Sequence, residues 1–248
     1  MTQDVTISQN EGILEFRLTR PAKKNALTIA MYGAMADAME AAERDDAVRA
    51  ILLTAEGDMF TSGNDLADFA QAASSGSAAS LADLVRFLHL FAETEKPVVA
   101  AVSGDGVGIG ATILLHCDVV VIAETAKLTM PFTSLGLTPE GCSSLLLPKL
   151  IGDKRAFMML ALGEPLSASD AVAFGFATML VDAAQVDVRS RDAARACVRI
   201  PPEAMRITKR LLRDKKAIRE RIDTEVVLFQ ERLNSPEARA AFEAFFKR

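Results

Sequence analysis

An apolar run that stops at a cluster of glycines constrains this chain more than any other stretch. Pro97-Val98-Val99-Ala100-Ala101-Val102 is too short and too rich in β-branched residues for a comfortable helix, so it reads as a buried strand. Gly106-Val107-Gly108-Ile109-Gly110 ends it. Ala111-Thr112-Ile113-Leu114-Leu115-His116-Cys117 then reads as a helix whose first turn points unpaired backbone N–H groups back at the glycine loop. Such a junction presents amides to an oxygen that carries, or will acquire, negative charge. Further along, Thr138-Pro139-Glu140-Gly141 supplies a carboxylate, and Thr138 as cap with Pro139 in the first turn predicts a new helix here. If the fold sets Glu140 opposite the Gly108 and Ile109 amides, a base faces an oxyanion site. The competing reading is an acid that merely suits a helix N-terminus.

A chain of 248 residues buries one sizeable core, and no Pro/Gly/Ser linker divides it. The expectation is a main domain over residues 1–195 and a helical region over 196–248. Val226, Val227, Phe229 and Leu233, with Phe242, Phe245 and Phe246, are too apolar to leave in water and pack on the same chain or at a subunit interface. A net charge of −5 and a pI near 5.2 argue against a nucleic-acid surface. Cys117, Cys142 and Cys197 lack metal-ligand spacing, and with no secretory leader they suit a reducing compartment. Phe246-Lys247-Arg248 is not a peroxisomal tripeptide, so the expected location is cytoplasmic. No apolar run approaches the ~18 residues of a membrane span.

Strand and helix signals alternate along the chain. Leu14, Phe16 and Leu18 against Glu15, Arg17 and Thr19 have the period of a half-buried strand, with residues 4–8 pairing to it. Leu27, Met31, Met35, Ala38, Met39 and Ala42 mark one face of a helix from Thr28. Lys23 and Lys24, in the loop before it, are solvated charges or a phosphate hold. Residues 50–54 form a second buried strand, and Phe60-Thr61-Ser62-Gly63-Asn64-Asp65-Leu66 follows as a small-residue loop. There Asn64, after Gly63, tolerates unusual angles that turn its N–H into a cleft, or the loop is a plain turn. Residues 71–80 suggest a mobile flap, and 81–93 a helix. Strands at 118–123 and 127–130 continue a strand-strand-helix order, the mark of a spiral of stacked β-β-α turns, with a doubly wound sheet as the plain alternative. Helices are expected at 153–162, 167–174, 183–199, 202–216, 219–233 and 236–247, with a strand at 178–181.

There is no Gly-x-Ser-x-Gly elbow, phosphate-binding loop or His-x-x-x-His pair, and the glycine cluster is not a dinucleotide fingerprint. His89 and His116 fall on apolar or amphipathic helices and read as structural. The loop Phe60 to Leu66, the run Val102-Ser103-Gly104-Asp105-Gly106-Val107-Gly108-Ile109-Gly110-Ala111, Cys117-Asp118, and Arg20-Pro21 with Asn25-Ala26-Leu27 together resemble the crotonase (enoyl-CoA hydratase/isomerase) superfamily. Pro131-Phe132 through Leu135-Gly136 to Pro139-Glu140-Gly141-Cys142-Ser143-Ser144 is most similar to its 3,2-trans-enoyl-CoA isomerases of peroxisomal type. The resemblance implies an α/β spiral of β-β-α turns with a C-terminal helical region, assembled as a homotrimer or a dimer of trimers. It implies an acyl-CoA thioester substrate, with no cofactor or metal besides. The N–H groups of Asn64 and Ile109 would hold the thioester oxygen, and Glu140 would be the catalytic base. Lys23, Ser62, Gly63, Asp65, Leu66, Gly108, Phe132, Leu135 and Leu137 would line the substrate site, the last three apolar residues raising the Glu140 pKa. Where hydratases of the superfamily carry two glutamates, this chain has Thr112 and Phe132, which disfavours hydration. Other crotonase-type chemistry on a CoA thioester and a catalytically silent acyl-CoA-binding protein are the alternatives.

Overall fold

The structure, a computed structural model, describes residues 4–69 and 81–246; the segment 71–80 expected as a flap lies outside them. The chain opens with an antiparallel hairpin, β1 (Val5–Asn10) and β2 (Ile13–Leu18), turning at Glu11 and Gly12, both left-handed. Helix α1 (Ile29–Arg44) is capped by Thr28, whose side chain accepts the Met31 N–H at 3.3 Å. The core units follow: β3 (Ala50–Ala55), β4 (Met59–Thr61) and α2 (Ala82–Glu93); β5 (Val98–Val102), β6 (Asp105–Val107) and α3 (Ile109–Thr112); β7 (Val119–Ala123) and β8 (Lys127–Thr129). After these come α4 (Ser143–Ile151), α5 (Asp153–Leu162), β9 (Leu166–Ser167), α6 (Ala168–Ala173), β10 (Met179–Val181), α7 (Val186–Arg199), α8 (Pro202–Leu212), α9 (Lys215–Leu233) and α10 (Pro236–Phe246).

The first strand of each unit enters a six-stranded sheet of order β1-β2-β3-β5-β7-β10, whose strands from β2 onward run parallel. The second enters a smaller sheet of order β4-β6-β8-β9. Consecutive strands therefore fall in different sheets, so each β-β-α unit is one turn of a spiral, and the doubly wound alternative is excluded. Strands such as β5, buried at every residue, are apolar throughout because both faces are covered. The main core lies on one face. On the other, Ala194 of α7 packs with Ile13, Ala50, Leu52 and Val99, so the boundary expected at residue 195 falls inside a helix that covers the sheet.

Three local expectations are corrected. The glycine cluster contains a strand of its own, β6, and the helix after it is short, α3 passing into a 3-10 turn over Ile113–His116. No helix starts at Thr138; α4 begins at Ser143, because Gly141 and Cys142 both adopt left-handed angles that a helix cannot contain. The helix expected over 202–216 stops at Leu212, where Asp214 caps a new one by accepting the Ala217 N–H at 3.0 Å. The helical region is tied down by the buried ammonium of Lys209, which donates to Lys96 O and to Asp118 Oδ2, both at 2.6 Å. No helix among the described residues is long and apolar enough to cross a membrane.

Candidate active site

Two backbone amides are aimed into one cavity by the way their neighbours are bound. Leu27 N–H donates to Gly63 O and Asp65 N–H donates to Leu27 O, both at 2.8 Å. Because a trans peptide places its N–H opposite its C=O, the Asn64 N–H points away from Leu27. Gly63, at φ 91°, is the residue that makes this turn, and a Cβ there would stand 2.7 Å from Val107 O. The sequence expectation had placed the unusual angles at Asn64; the glycine before it bears them. That close approach brings the first loop against Gly108, which caps α3 at φ 57°, ψ −120° while its carbonyl accepts the Ala111 and Thr112 amides. Ile109 N–H, on the other side of the same peptide, is the first of the helix and points out of its end. Among the described residues neither the Asn64 nor the Ile109 N–H has an acceptor within the chain.

Asn64, Gly108 and Ile109 line a cavity of about 410 Å³ with Ser62, Gly63, Leu66, Phe132, Leu135 and Leu137. Phe229 and Leu233 of α9 and Phe242 of α10 close its far wall. Tyr32, fully buried on α1, donates its O–H to Asn64 Oδ1 at 2.6 Å and so fixes that side chain. A recess of about 20 Å³ shares Asn64 and Phe229 with the cavity, and Glu140 borders it.

Glu140 is 5% exposed, and its Oε1 accepts the Thr112 O–H at 2.7 Å. Burial pushes its carboxyl up from 4.5 to about 8; the Thr112 hydrogen bond pulls the other way, and the charge of Glu225 adds to the rise. The apolar groups around it are Leu81, Leu84, Val85 and Leu88 of the α2 region and Val226 and Phe229 of α9. Phe132, Leu135 and Leu137, expected beside the acid, line the main cavity, whereas Glu140 borders the recess. His116 holds the left-handed turn at Gly141 and Cys142: burial lowers its imidazole to about 4, and the neutral ring donates from Nε2 to Gly141 O at 2.8 Å. A basic or metal-ligating role for it does not fit a ring so enclosed. Among the described residues no cluster of three His, Cys, Asp or Glu side chains stands ready for a metal ion.

Residues 8–248 match the family model described as enoyl-CoA hydratase/isomerase. The chain belongs to the enoyl-CoA hydratase/isomerase family, the crotonase superfamily. This crotonase is 34% identical over 218 residues to human enoyl-CoA delta isomerase 2, a match covering 86% of this chain and 55% of the human protein. It thus spans about half the length of that relative. It is 37% identical over 177 residues to 1,2-epoxyphenylacetyl-CoA isomerase of Escherichia coli, covering 69% of this chain and 67% of the other. The solved structure of Pseudomonas aeruginosa OdaA superposes with a TM-score of 0.94 at 43% identity, covering both chains in full.

Two of the site residues expected from the crotonase resemblance do not line the cavity. Lys23 sits exposed on a 3-10 turn, outside the cavity lining. Asp65 turns its carboxylate to Arg20 Nη1 at 3.2 Å and caps the Asp68 N–H at 3.3 Å, which ties down the loop. Conversely, Tyr32, Thr112 as the partner of Glu140, Phe229, Phe242 and Glu225 were not read as site residues. The only signal for Glu225 was an acid set among the apolar residues of α9, where a buried partner is needed.

Proposed function

We propose that this crotonase shifts a carbon–carbon double bond from C3 to C2 of an acyl-CoA thioester, yielding the trans-2-enoyl ester as in the oxidation of unsaturated fatty acids. What supports the reading is an enclosed carboxyl, Glu140, pushed up to about 8 by burial and bordering a recess that shares Asn64 with the cavity, together with the Asn64 and Ile109 N–H groups that have no acceptor in the chain among the described residues. In this mechanism the thioester oxygen takes the N–H groups of Asn64 and Ile109, which acidifies the C2 proton. Glu140 in its ionised form removes that proton, the electron pair moves into a dienolate, and the negative charge rests on the thioester oxygen. The Glu140 acid then returns a proton at C4, leaving the base as it began. Each amide contributes about 3 kcal/mol in the dienolate-like transition state. The low polarity around Glu140 keeps water from competing for the proton. Thr112 and Phe132, both buried, offer no second carboxylate to orient a water, which supports isomerisation over hydration.

We propose further that the protein works as a homotrimer or a pair of trimers. Leu211 and Leu212, each 80% exposed at the end of α8, and Phe157 at 60% support a subunit interface.

The test is to mix the protein with a 3-enoyl-CoA and follow conjugation of the double bond with the thioester by ultraviolet absorbance, beside Glu140→Gln. Turnover by the parent and a fall of roughly 10²–10⁴ in the variant is expected. Equal turnover removes Glu140 from the reaction, and no turnover in either favours a silent acyl-CoA binder. Turnover of 1,2-epoxyphenylacetyl-CoA alone would replace the double-bond reading by a ring-opening one.

A further inference from the structure

The turn that carries Glu140 is held from outside by a second carboxylate. Gly141 at φ 66° and Cys142 at φ 63° double the chain back directly after Glu140. Helix α4 then starts with no side-chain cap of its own, although its first amides need acceptors. Glu225, from the middle of α9, provides them: Oε2 accepts the Cys142 N–H at 2.6 Å, and Oε1 accepts the Ser144 N–H at 3.0 Å and the Ser144 O–H at 2.5 Å. Ser144 Oγ in turn accepts from Arg221 Nη1 at 3.0 Å. Glu225 is 4% exposed, and its helix neighbours Val226, Phe229 and Gln230 line the recess that Glu140 borders. One helix thus supplies both the wall of the recess and the clamp on the loop that enters it.

We propose that Glu225 is the positioning residue of the base: by tying Cys142 and Ser144 to α9 it fixes the left-handed turn that aims the Glu140 carboxyl into the recess. The proposal rests on the reading of Glu140 as the base. A carboxylate at a helix N-terminus that accepts three hydrogen bonds is well placed to stay charged. A charge there discourages a second one on Glu140, across the same turn. Burial holds the Glu225 carboxyl above its usual range, and the hydrogen bonds from Ser144 and Cys142 and the Arg221 guanidinium offset that rise only in part. The remaining polar or titratable groups that bear on the pair are Tyr32 of α1, which feels the Glu140 charge, Thr112 of α3, His116 on Gly141 O, and Lys149 of α4 near Cys142. The Glu225 charge therefore adds to the upward shift that burial imposes on Glu140.

A cap that only stabilised α4 would shift the Glu140 midpoint through its charge alone and would leave the plateau kcat of a folded variant where it is. The experiment compares the parent with Glu225→Gln, Glu225→Asp and Glu140→Gln in the full chain. It measures kcat and KM for the 3-enoyl-CoA against pH, and isotope-edited infrared titration of the glutamate carboxyls, the Glu140 band being identified by its loss in Glu140→Gln. In Glu225→Gln the amide NH₂ faces N–H donors and the charge is gone. Its kcat on the alkaline plateau is expected to fall roughly tenfold to a hundredfold, with a smaller change in KM. The midpoint of its acidic limb and of the Glu140 band should move to lower pH. Glu225→Asp, which keeps the charge but shortens the reach, should lose plateau rate while holding the midpoint nearer that of the parent; it also serves if the Gln variant fails to fold. An unmoved plateau kcat in folded Glu225→Gln and Glu225→Asp overturns the proposal, and if Glu140→Gln is then inactive the base reading survives it. Full activity in Glu140→Gln overturns the base reading instead, and with it the catalytic role given to Glu225, whatever the band does.

Discussion

Replacing Glu140 by Gln removes a charge while keeping the shape and the oxygen that accepts from Thr112, so the variant isolates what burial of an ionisable group costs this fold. In the parent the folded carboxyl ionises near pH 8, against 4.5 for an unstrained glutamate. Between those values the unfolded chain has already lost the proton that the native protein keeps. Unfolding then releases a proton, and stability falls as pH rises, by about 1.36 kcal/mol per pH unit. From about pH 5 to about pH 9 this one group should lower the stability of the parent by roughly 4 kcal/mol. Glu140→Gln lacks the contribution, and every other titrating group away from the site cancels in the comparison. The measurement is urea unfolding followed by circular dichroism across that range. The variant should be close to the parent near pH 5 and the more stable of the two by a few kcal/mol near pH 9. A difference that stays flat, or shrinks as pH rises, would mean that Glu140 is not held protonated by its surroundings, and the argument for a base poised near neutrality would fall.

Ile109→Pro removes one oxyanion donor at a helix position that tolerates proline, so kcat should drop about 10²–10³ with the far-ultraviolet spectrum retained; steady-state kinetics decide it. Thr112→Val deletes the hydrogen bond that favours the charged form of Glu140, so the acidic limb of kcat/KM should move to higher pH than in the parent, and a limb that moves down would refute the role given to Thr112. Gly63→Ala places a methyl 2.7 Å from Val107 O at a left-handed φ, and should cost about 1–3 kcal/mol in urea unfolding while parting the two amide loops and lowering turnover.

Local chemistry alone determined much of this molecule. The alternation of Leu14, Phe16 and Leu18, the apolar runs of β3 and β5, the Thr28 cap and the end of α5 at Leu162 follow from periodicity and capping, which act over a few residues. The glycine loop and Glu140 could be singled out for the same reason, but position alone leaves Glu140 an acid suited to a helix N-terminus, and the roles given to Asn64, Ile109 and Glu140 came from the crotonase resemblance. The helix expected at Thr138 was wrong because the cap signal there is real but weaker than the tertiary demand: Glu225, Thr112 and His116 together fix a left-handed turn that no local preference favours at Cys142. Only the folded chain decided that Leu81, Leu88 and Val226 line the recess that Glu140 borders while Phe132 and Leu135 line the main cavity, and that Asp65 pairs with Arg20. Those outcomes depend on contacts between residues far apart in sequence, whose energies exceed the fraction of a kcal/mol by which propensity ranks one local conformation over another.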